Sequence, residues 1–135
     1  MATKAHQFIA DLIAQRMQLD GYEIVSFEGN SQIPQNIKFL PPTIKRHRPD
    51  LLGLKNGSLA VGEAKTASDI GIRTHEQLED YINCCKSANE HKIKVYLGIP
   101  LSIEEKVHKL LNSLGGYNCV EILSIPDRLL PTYND

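Results

Sequence analysis

Apolar side chains recur at intervals that predict a helix followed by a strand at the start of the chain. Residues 3–19 place apolar side chains on one stripe at helical spacing, and Asp20-Gly21 is a typical helix end. The stripe consists of Phe8, Ile9, Leu12, Ile13 and Leu19. The segment from Tyr22 to Glu28 alternates with the period of two that is typical of a strand. The polar stretch from Gly29 to Lys45 is long for a compact domain, which favours a functional loop.

The next two apolar runs predict a β-hairpin. They extend from Pro49 to Lys55 and from Ser58 to Lys65, and they flank Asn56-Gly57. Asn-Gly between strand-like runs is the strongest short hairpin signal, because a type I′ turn requires positive φ at both central residues. We therefore expect two antiparallel strands joined by a two-residue turn.

The rest of the chain predicts two further helix–strand units. In order, they are a helix from Arg73 to Asn89, a strand from Lys92 to Ile99, a helix from Ser102 to Leu114 that stops at Gly115-Gly116, and a strand from Tyr117 to Ile125. We expect Thr74 to cap the helix that begins at Arg73, together with Gln77. We expect Ser102 to open the helix that follows in a capping box with Glu105. The resulting order, αβββαβαβ, predicts an α/β fold with a mixed β-sheet and crossover helices on one face.

The composition limits the class of protein. A length of 135 residues suits a single domain spanning 1–135, and the net charge of −1 excludes a wholly cationic protein. No apolar run approaches the roughly 18 residues that a membrane span requires, so we expect no membrane partner. The N-terminal segment lacks the apolar core of a signal peptide, and three cysteines are an odd count for a secreted disulfide framework. We therefore expect reduced thiols and a cytoplasmic location.

The predicted hairpin brings charged side chains together at the end opposite its turn. A two-residue turn fixes the register, and continuing that register places Asp50 opposite Glu63 and Arg48 opposite Lys65. Because strand side chains alternate, Lys65 shares the face of Glu63. The sequence thus predicts two carboxylates and an ammonium group in one patch.

Two opposed carboxylates repel each other, and a divalent cation offsets that repulsion. Oxygen ligands of this kind, completed by waters, are those that Mg²⁺ prefers. Lys65 beside the ion could stabilise a developing negative charge or orient a water. These parts suit metal-assisted hydrolysis of a phosphodiester. In the alternative interpretation, Asp50 and Glu63 are solvated strand charges that Lys65 and Arg48 neutralise.

These residues resemble the signature of the PD-(D/E)XK, or restriction-endonuclease-like, nuclease superfamily. Pro49-Asp50 followed by Glu63-Ala64-Lys65 matches its motif. The αβββαβ order matches the core of that fold over roughly residues 3–99, which leaves the last helix and strand as a C-terminal αβ extension. Gln77 and Tyr81 also look like the QxxxY motif of the RecB-like branch, and their spacing places them on one helix face.

The resemblance implies roles for individual residues. Asp50, Glu63 and the carbonyl of Ala64 would bind Mg²⁺, for which Mn²⁺ would substitute, while Lys65 would support the attacking water. Gln77 and Tyr81 would line the active site; alternatively, Gln77 belongs to a capping box and Tyr81 to the core. RecB-like relatives carry a further metal ligand on the first helix. His6 is our candidate, because the usual Glu is missing there, and its alternative is an ordinary surface or boundary histidine.

Basic residues surround the predicted site. Lys45, Arg46 and Arg48 lie next to Asp50 in sequence, where phosphates would dock, and Arg73 is a further candidate phosphate contact. The alternative is a solvated charge run in a loop. Aromatic residues make up only 6% of the chain and Trp is absent, which disfavours base-by-base readout of a single strand.

The sequence therefore predicts an enzyme, a Mg²⁺-dependent deoxyribonuclease that acts as an endonuclease on DNA. The resemblance alone implies DNA, since the residues themselves do not distinguish DNA from RNA. One site cuts one strand, which favours a homodimer or a larger nucleic-acid-processing complex. Two alternatives stay open: a nuclease-fold DNA-binding module with weak or no catalysis, and an assembly module that uses the 29–45 loop and the last strand.

Overall fold

The elements follow one another in the predicted order in a computed structural model that describes residues 3–27, 47, 49–87, 93–115 and 118–131. They are α1 (Lys4–Leu19), β1 (Glu23–Phe27), β2 (Leu51–Lys55), β3 (Ser58–Ala64), α2 (Ile72–Ser87), β4 (Ile93–Pro100), α3 (Glu104–Leu114) and β5 (Val120–Ile125). Short 3₁₀ turns lie at Ala67–Asp69, Leu101–Ile103 and Asp127–Leu129. The predicted α/β class is confirmed, and the 29–45 loop lies outside the described residues. None of the described helices is both long and apolar enough to cross a bilayer.

The five strands form one mixed sheet in the order β1-β2-β3-β4-β5. The pairs β1–β2 and β2–β3 are antiparallel, whereas the pairs β3–β4 and β4–β5 are parallel. Helix α1 packs on one face, through a cluster that includes Ile9, Ile13 and Met17. Helices α2 and α3 pack on the other face. The expected crossovers on one face of a mixed sheet are therefore present.

The hairpin between β2 and β3 has the predicted turn and register. Asn56 and Gly57 have φ values of 46° and 84°, as a type I′ turn requires. Lys55 pairs with Ser58, and the register continues without a shift to Leu51 and Gly62. Asp50 and Glu63 are the next two residues beyond that last pair, so the hairpin places both carboxylates at the same end of the sheet.

Helix α1 lies close to the sheet because glycines stand beneath it. A Cβ atom at Gly98 would lie 2.5 Å from Ile9 Cγ2, and one at Gly62 would lie 2.9 Å from Ile13 Cγ2. Side-chain atoms cannot approach that closely, so only glycine permits this separation between helix and sheet. The close packing brings the first turn of α1, which carries His6, to the end of β3.

One of the predicted core positions is wrong. Leu19 is 84% exposed, and Met17 is the last fully buried apolar residue of α1. Leu19 lies two positions beyond Met17, which at 3.6 residues per turn is about 200° around the helix axis. It therefore points away from the stripe that covers the sheet.

Both predicted capping boxes are also wrong, because the hydroxyl groups bond to more distant partners. Thr74 lies inside α2, which begins at Ile72, and its hydroxyl donates to the carbonyl of Asp69 at 2.6 Å. Ser102 lies in the 3₁₀ turn before α3, and its hydroxyl donates to Asp127 Oδ2 at 2.6 Å. The carboxylate of Asp127, which follows β5, thus competes successfully with the local capping arrangement.

Candidate active site

The carboxyl groups of Asp50 and Glu63 meet where β2 begins and β3 ends. Both side chains line one cavity, as the hairpin register predicts. Asp50 Oδ2 also accepts a hydrogen bond from the backbone N–H of Ala64 at 2.8 Å. Glu63 is only 2% exposed, and its burial together with the charge of Asp50 holds its pKa well above the usual value. Ionising Glu63 beside Asp50 therefore costs electrostatic free energy, as the sequence implies.

Helix α2 fixes the orientation of Glu63. Tyr81 donates its hydroxyl hydrogen to Glu63 Oε1 at 2.8 Å, and Gln77 Nε2 donates to the same oxygen at 3.0 Å. Gln77 Nε2 also lies 3.2 Å from the Tyr81 hydroxyl oxygen. Both side chains are buried, and burial raises the pKa of Tyr81, as does the charge of Glu63. Two donors on one oxygen hold this buried carboxyl group in one orientation.

Helix α1 contributes His6 from the opposite face of the sheet. His6 Nε2 lies 3.2 Å from Asp50 Oδ2, and about one fifth of each side chain is exposed. The hydrogen bond to Asp50 raises the pKa of His6 although burial opposes this. Burial also opposes ionisation of Asp50, but hydrogen bonds from His6 and from the Ala64 N–H outweigh it and lower the pKa of Asp50. Asp50 is therefore held as a carboxylate, and the neighbouring His6 favours the imidazolium form.

These side chains surround a cavity of about 300 Å³. Its lining consists of His6, His47, Asp50, Glu63, Ala64, Lys65, Asp69, Arg73, Thr74 and Gln77. Lys65 is half-buried, and its positive charge acts on the pKa of Glu63 in the direction opposite to burial. Arg73 is exposed in the first turn of α2. Most of the residues singled out from the sequence thus border one cavity.

Tyr81 and three basic residues are the other positions that the sequence predicts for the site. Tyr81 stands behind Glu63 and contacts it without lining the cavity. The basic residues Lys45, Arg46 and Arg48 lie outside the described residues, so their expected contacts with phosphate stay predictions.

Sequence reasoning missed His47, Asp69 and Thr74 as lining residues. His47 Nε2 lies 2.5 Å from Asp80 Oδ2, and its ring packs edge-on against Tyr81 with centroids 5.8 Å apart. No sequence spacing links His47 to a helix that begins far along the chain. Asp69 could have been found, because it accepts the Thr66 N–H at 2.8 Å in a Thr-x-x-Asp turn.

The donor atoms suit a hard divalent cation. Asp50 and Glu63 supply carboxylate oxygens, and the backbone of Ala64 borders the same cavity. Within the described ranges, no group of three or more His, Cys, Asp and Glu side chains forms a complete metal cage. Mg²⁺ retains several waters and is commonly bound through one or two carboxylates, so this small donor set fits it better than a structural zinc site.

Fold and cavity together define an α/β protein with paired carboxylates and basic groups at one end of a mixed sheet. No protein-family model and no curated protein matches the chain. Among solved structures, the chain is similar to the crystal structure of an XisH family protein from Nostoc punctiforme PCC 73102. The two are 13% identical, and the match has a TM-score of 0.46 and covers 96% of this chain and 98% of that one.

Proposed function

We propose that the protein is a Mg²⁺-dependent nuclease that hydrolyses phosphodiester bonds in DNA. The observation that carries this proposal is that the carboxyl groups of Asp50 and Glu63 line one cavity together with Lys65. The resemblance of the sequence to the PD-(D/E)XK signature supports the same reaction and implies DNA as the substrate. Because the pair of acids is costly to bury, a structural role alone gives no reason to place them together.

The carboxylates of Asp50 and Glu63, with the Ala64 carbonyl, would hold the ion. When bound, the ion would lower the pKa of a coordinated water and stabilise charge on the phosphate. Manganese would satisfy the same oxygen donors. His6 Nε2 already contacts Asp50, so in this arrangement the histidine orients that carboxylate.

The remaining residues would position these groups. Gln77 and Tyr81 both donate to Glu63 Oε1, so they would orient the other oxygen, Oε2, for the cation. Lys65 would hold the attacking water and stabilise the negative charge that develops on the phosphate. Arg73, at the rim of the cavity, would contact a neighbouring phosphate. A chain with one such site cuts one strand, so cleavage of both strands would require a homodimer or a larger complex.

A cleavage panel tests the proposal. Linear, nicked, single-stranded and branched DNA are incubated with the protein in Mg²⁺, in Mn²⁺ and in a chelator. We expect metal-dependent cleavage that Glu63→Ala abolishes and that Glu105→Ala leaves intact, because Glu105 is an exposed carboxylate of α3. Cleavage that survives Glu63→Ala would contradict the proposal, as would intact DNA under every condition.

The contact between His6 and Asp50 favours a second candidate function, a nuclease-fold module that binds DNA without cutting it. A protonated His6 neutralises Asp50 in the way a metal would, so the site can persist without one. Measurable DNA binding without cleavage in Mg²⁺ or Mn²⁺ would favour this candidate over the enzyme.

A further inference from the structure

A second cavity, of about 460 Å³, lies between the start of α2 and helix α3. Its lining consists of Ile70, Gly71, Ile72, His75, Lys106 and Leu110. Ile72 is 82% exposed, so its side chain is not part of the core, and together with Ile70 and Leu110 it forms an apolar wall open to the surface. The volume is in the range typical of small-ligand sites.

This apolar pocket adjoins the candidate active site. Asp69 and Arg73 line the cavity that contains the paired acids, whereas residues 70–72 line the apolar pocket. One short segment therefore forms the wall between the two cavities. Consecutive Cα atoms are about 3.8 Å apart, so this short segment keeps the two cavities close together. A ligand only a few nucleotides long would reach from one cavity to the other.

The charges at the pocket suit a polyanion. Among the residues that the structure describes, Lys106 and His75 are its titratable lining residues, and no carboxylate lines it. The exposed Arg73 stands on the side facing the active site. An apolar wall with cationic groups at its edge is complementary to a nucleotide, which joins a flat apolar base to a charged phosphate.

We propose that this pocket takes an unpaired nucleobase of the strand whose phosphate enters the candidate active site. The inference rests on the proposed function and names its substrate class, which is single-stranded nucleic acid or a duplex with unpaired bases. In an intact duplex the base is stacked and paired, so its face is not available to Ile70, Ile72 and Leu110. Because these three apolar side chains offer no hydrogen bonds, their contact with the base does not depend on which base it is.

Binding measurements on a non-cleaving protein test this inference. The Glu63→Gln variant removes one negative charge from the active site and keeps an acceptor for Tyr81. Fluorescence anisotropy gives its affinity for a single-stranded oligonucleotide, for the same strand with consecutive abasic positions, and for the matching duplex. The same affinities of the native protein, measured in the presence of a chelator, provide the second measurement. We expect the intact strand to bind about tenfold more tightly than the abasic strand, the effect of burying part of one base against apolar side chains.

Two substitutions should remove that preference. A Cβ atom at Gly71, a lining residue, meets no atom within 4 Å, so Gly71→Leu adds a bulky side chain to the wall without a clash at Cβ, and Ile72→Ala removes an exposed part of that wall. Each should bring the ratio of affinities for intact and abasic strands to about one while leaving abasic binding unchanged. Leu19→Ala is the matched control, since Leu19 is 84% exposed at the far end of α1.

The outcomes separate this inference from the proposed function. A preference for intact strands that survives both pocket variants overturns the inference, whether or not the native protein cuts DNA. Tighter binding of the duplex than of the single strand also overturns it. The inference is also overturned if the native protein is a dimer and Gly71→Leu converts it to a monomer. That result would show that a second copy of the chain occupies the pocket. Loss of the preference in both variants, without cleavage by the native protein, supports the pocket and overturns the nuclease.

Discussion

The Tyr81 hydroxyl donates a hydrogen bond to Glu63 Oε1 across 2.8 Å, although the two residues are 18 positions apart. This bond joins the end of β3 to the middle of α2. Because Glu63 is almost fully buried, the bond replaces a contact with water that the carboxyl group has lost. It therefore links the stability of the fold to the geometry of the cavity.

Tyr81→Phe should lower the free energy of unfolding by about 1–2 kcal/mol, because a buried acceptor loses one of its donors. Denaturant titration at neutral pH measures the change. The matched control is Tyr22→Phe, since the Tyr22 hydroxyl makes no hydrogen bond within the described residues, and its effect should stay within about 0.5 kcal/mol. Equal effects of the two substitutions would contradict the importance of this bond.

Lys65→Ala should reduce DNA cleavage by roughly 10²–10³-fold while leaving DNA affinity largely intact. The reason is that the lost ammonium group stabilises charge that develops only during the reaction. Single-turnover cleavage and equilibrium binding separate the two effects. Lys109→Ala, which removes an exposed ammonium from α3, serves as the control. Normal cutting by the Lys65 variant would show that its assigned role is wrong.

Mg²⁺ should raise the thermal stability of the native protein, since an ion that binds only the folded state stabilises it. At a concentration one hundred times the dissociation constant, the gain is about 2.7 kcal/mol. Asp50→Asn and Glu63→Gln should each remove the response, which calorimetry detects without any nuclease assay. A response that persists in both variants would place the ion elsewhere.

Gly98→Ala should destabilise the protein by about 1–3 kcal/mol, because the added methyl group would lie 2.5 Å from Ile9 Cγ2 and must displace α1. Since α1 carries His6, the same variant should alter the cavity. Thermal unfolding and the binding of Mg²⁺ provide the two measurements. Gly71→Ala meets no atom within 4 Å and is the control. Unchanged stability in the Gly98 variant would mean that helix and sheet separate easily.

The bond between Tyr96 and Asp20 predicts a pH dependence away from the candidate active site. The Tyr96 hydroxyl donates to Asp20 Oδ2, which lowers the pKa of Asp20 although burial opposes this. A lowered native pKa adds stability above the unfolded value of about 3.9, and this stability is lost as the pH falls through the native pKa. The difference in unfolding free energy between the native protein and Tyr96→Phe should therefore shrink in acid. Denaturant titrations between neutral and strongly acidic pH measure this difference. A difference that stays constant or grows as the pH falls would contradict the prediction.

The hairpin could be predicted from the sequence because its geometry is local. Asn56-Gly57 determines the turn, the turn determines the register, and the register brings Asp50 to Glu63. The capping boxes at Thr74 and Ser102 could not be excluded in the same way. Their hydroxyl groups bond to Asp69 and Asp127, and the second of these lies 25 positions away. Local patterns carry no information about such competing partners.

The contacts of the histidines were beyond sequence reasoning for a similar reason. His47 reaches Asp80 across 33 positions, and His6 reaches Asp50 from a helix on the other face of the sheet. Neither pair shares a helix or a strand ladder, so no periodicity connects its members. Only the packing of helices on both faces determines which side chains meet at the end of the sheet.

Because α1 and α2 approach Glu63 and Asp50 from opposite faces, the cavity exists only when both helical layers are docked. A chain in which either helical layer is undocked therefore has no complete site. Any binding that depends on the cavity should be lost together with the packing of α1 or α2 on the sheet.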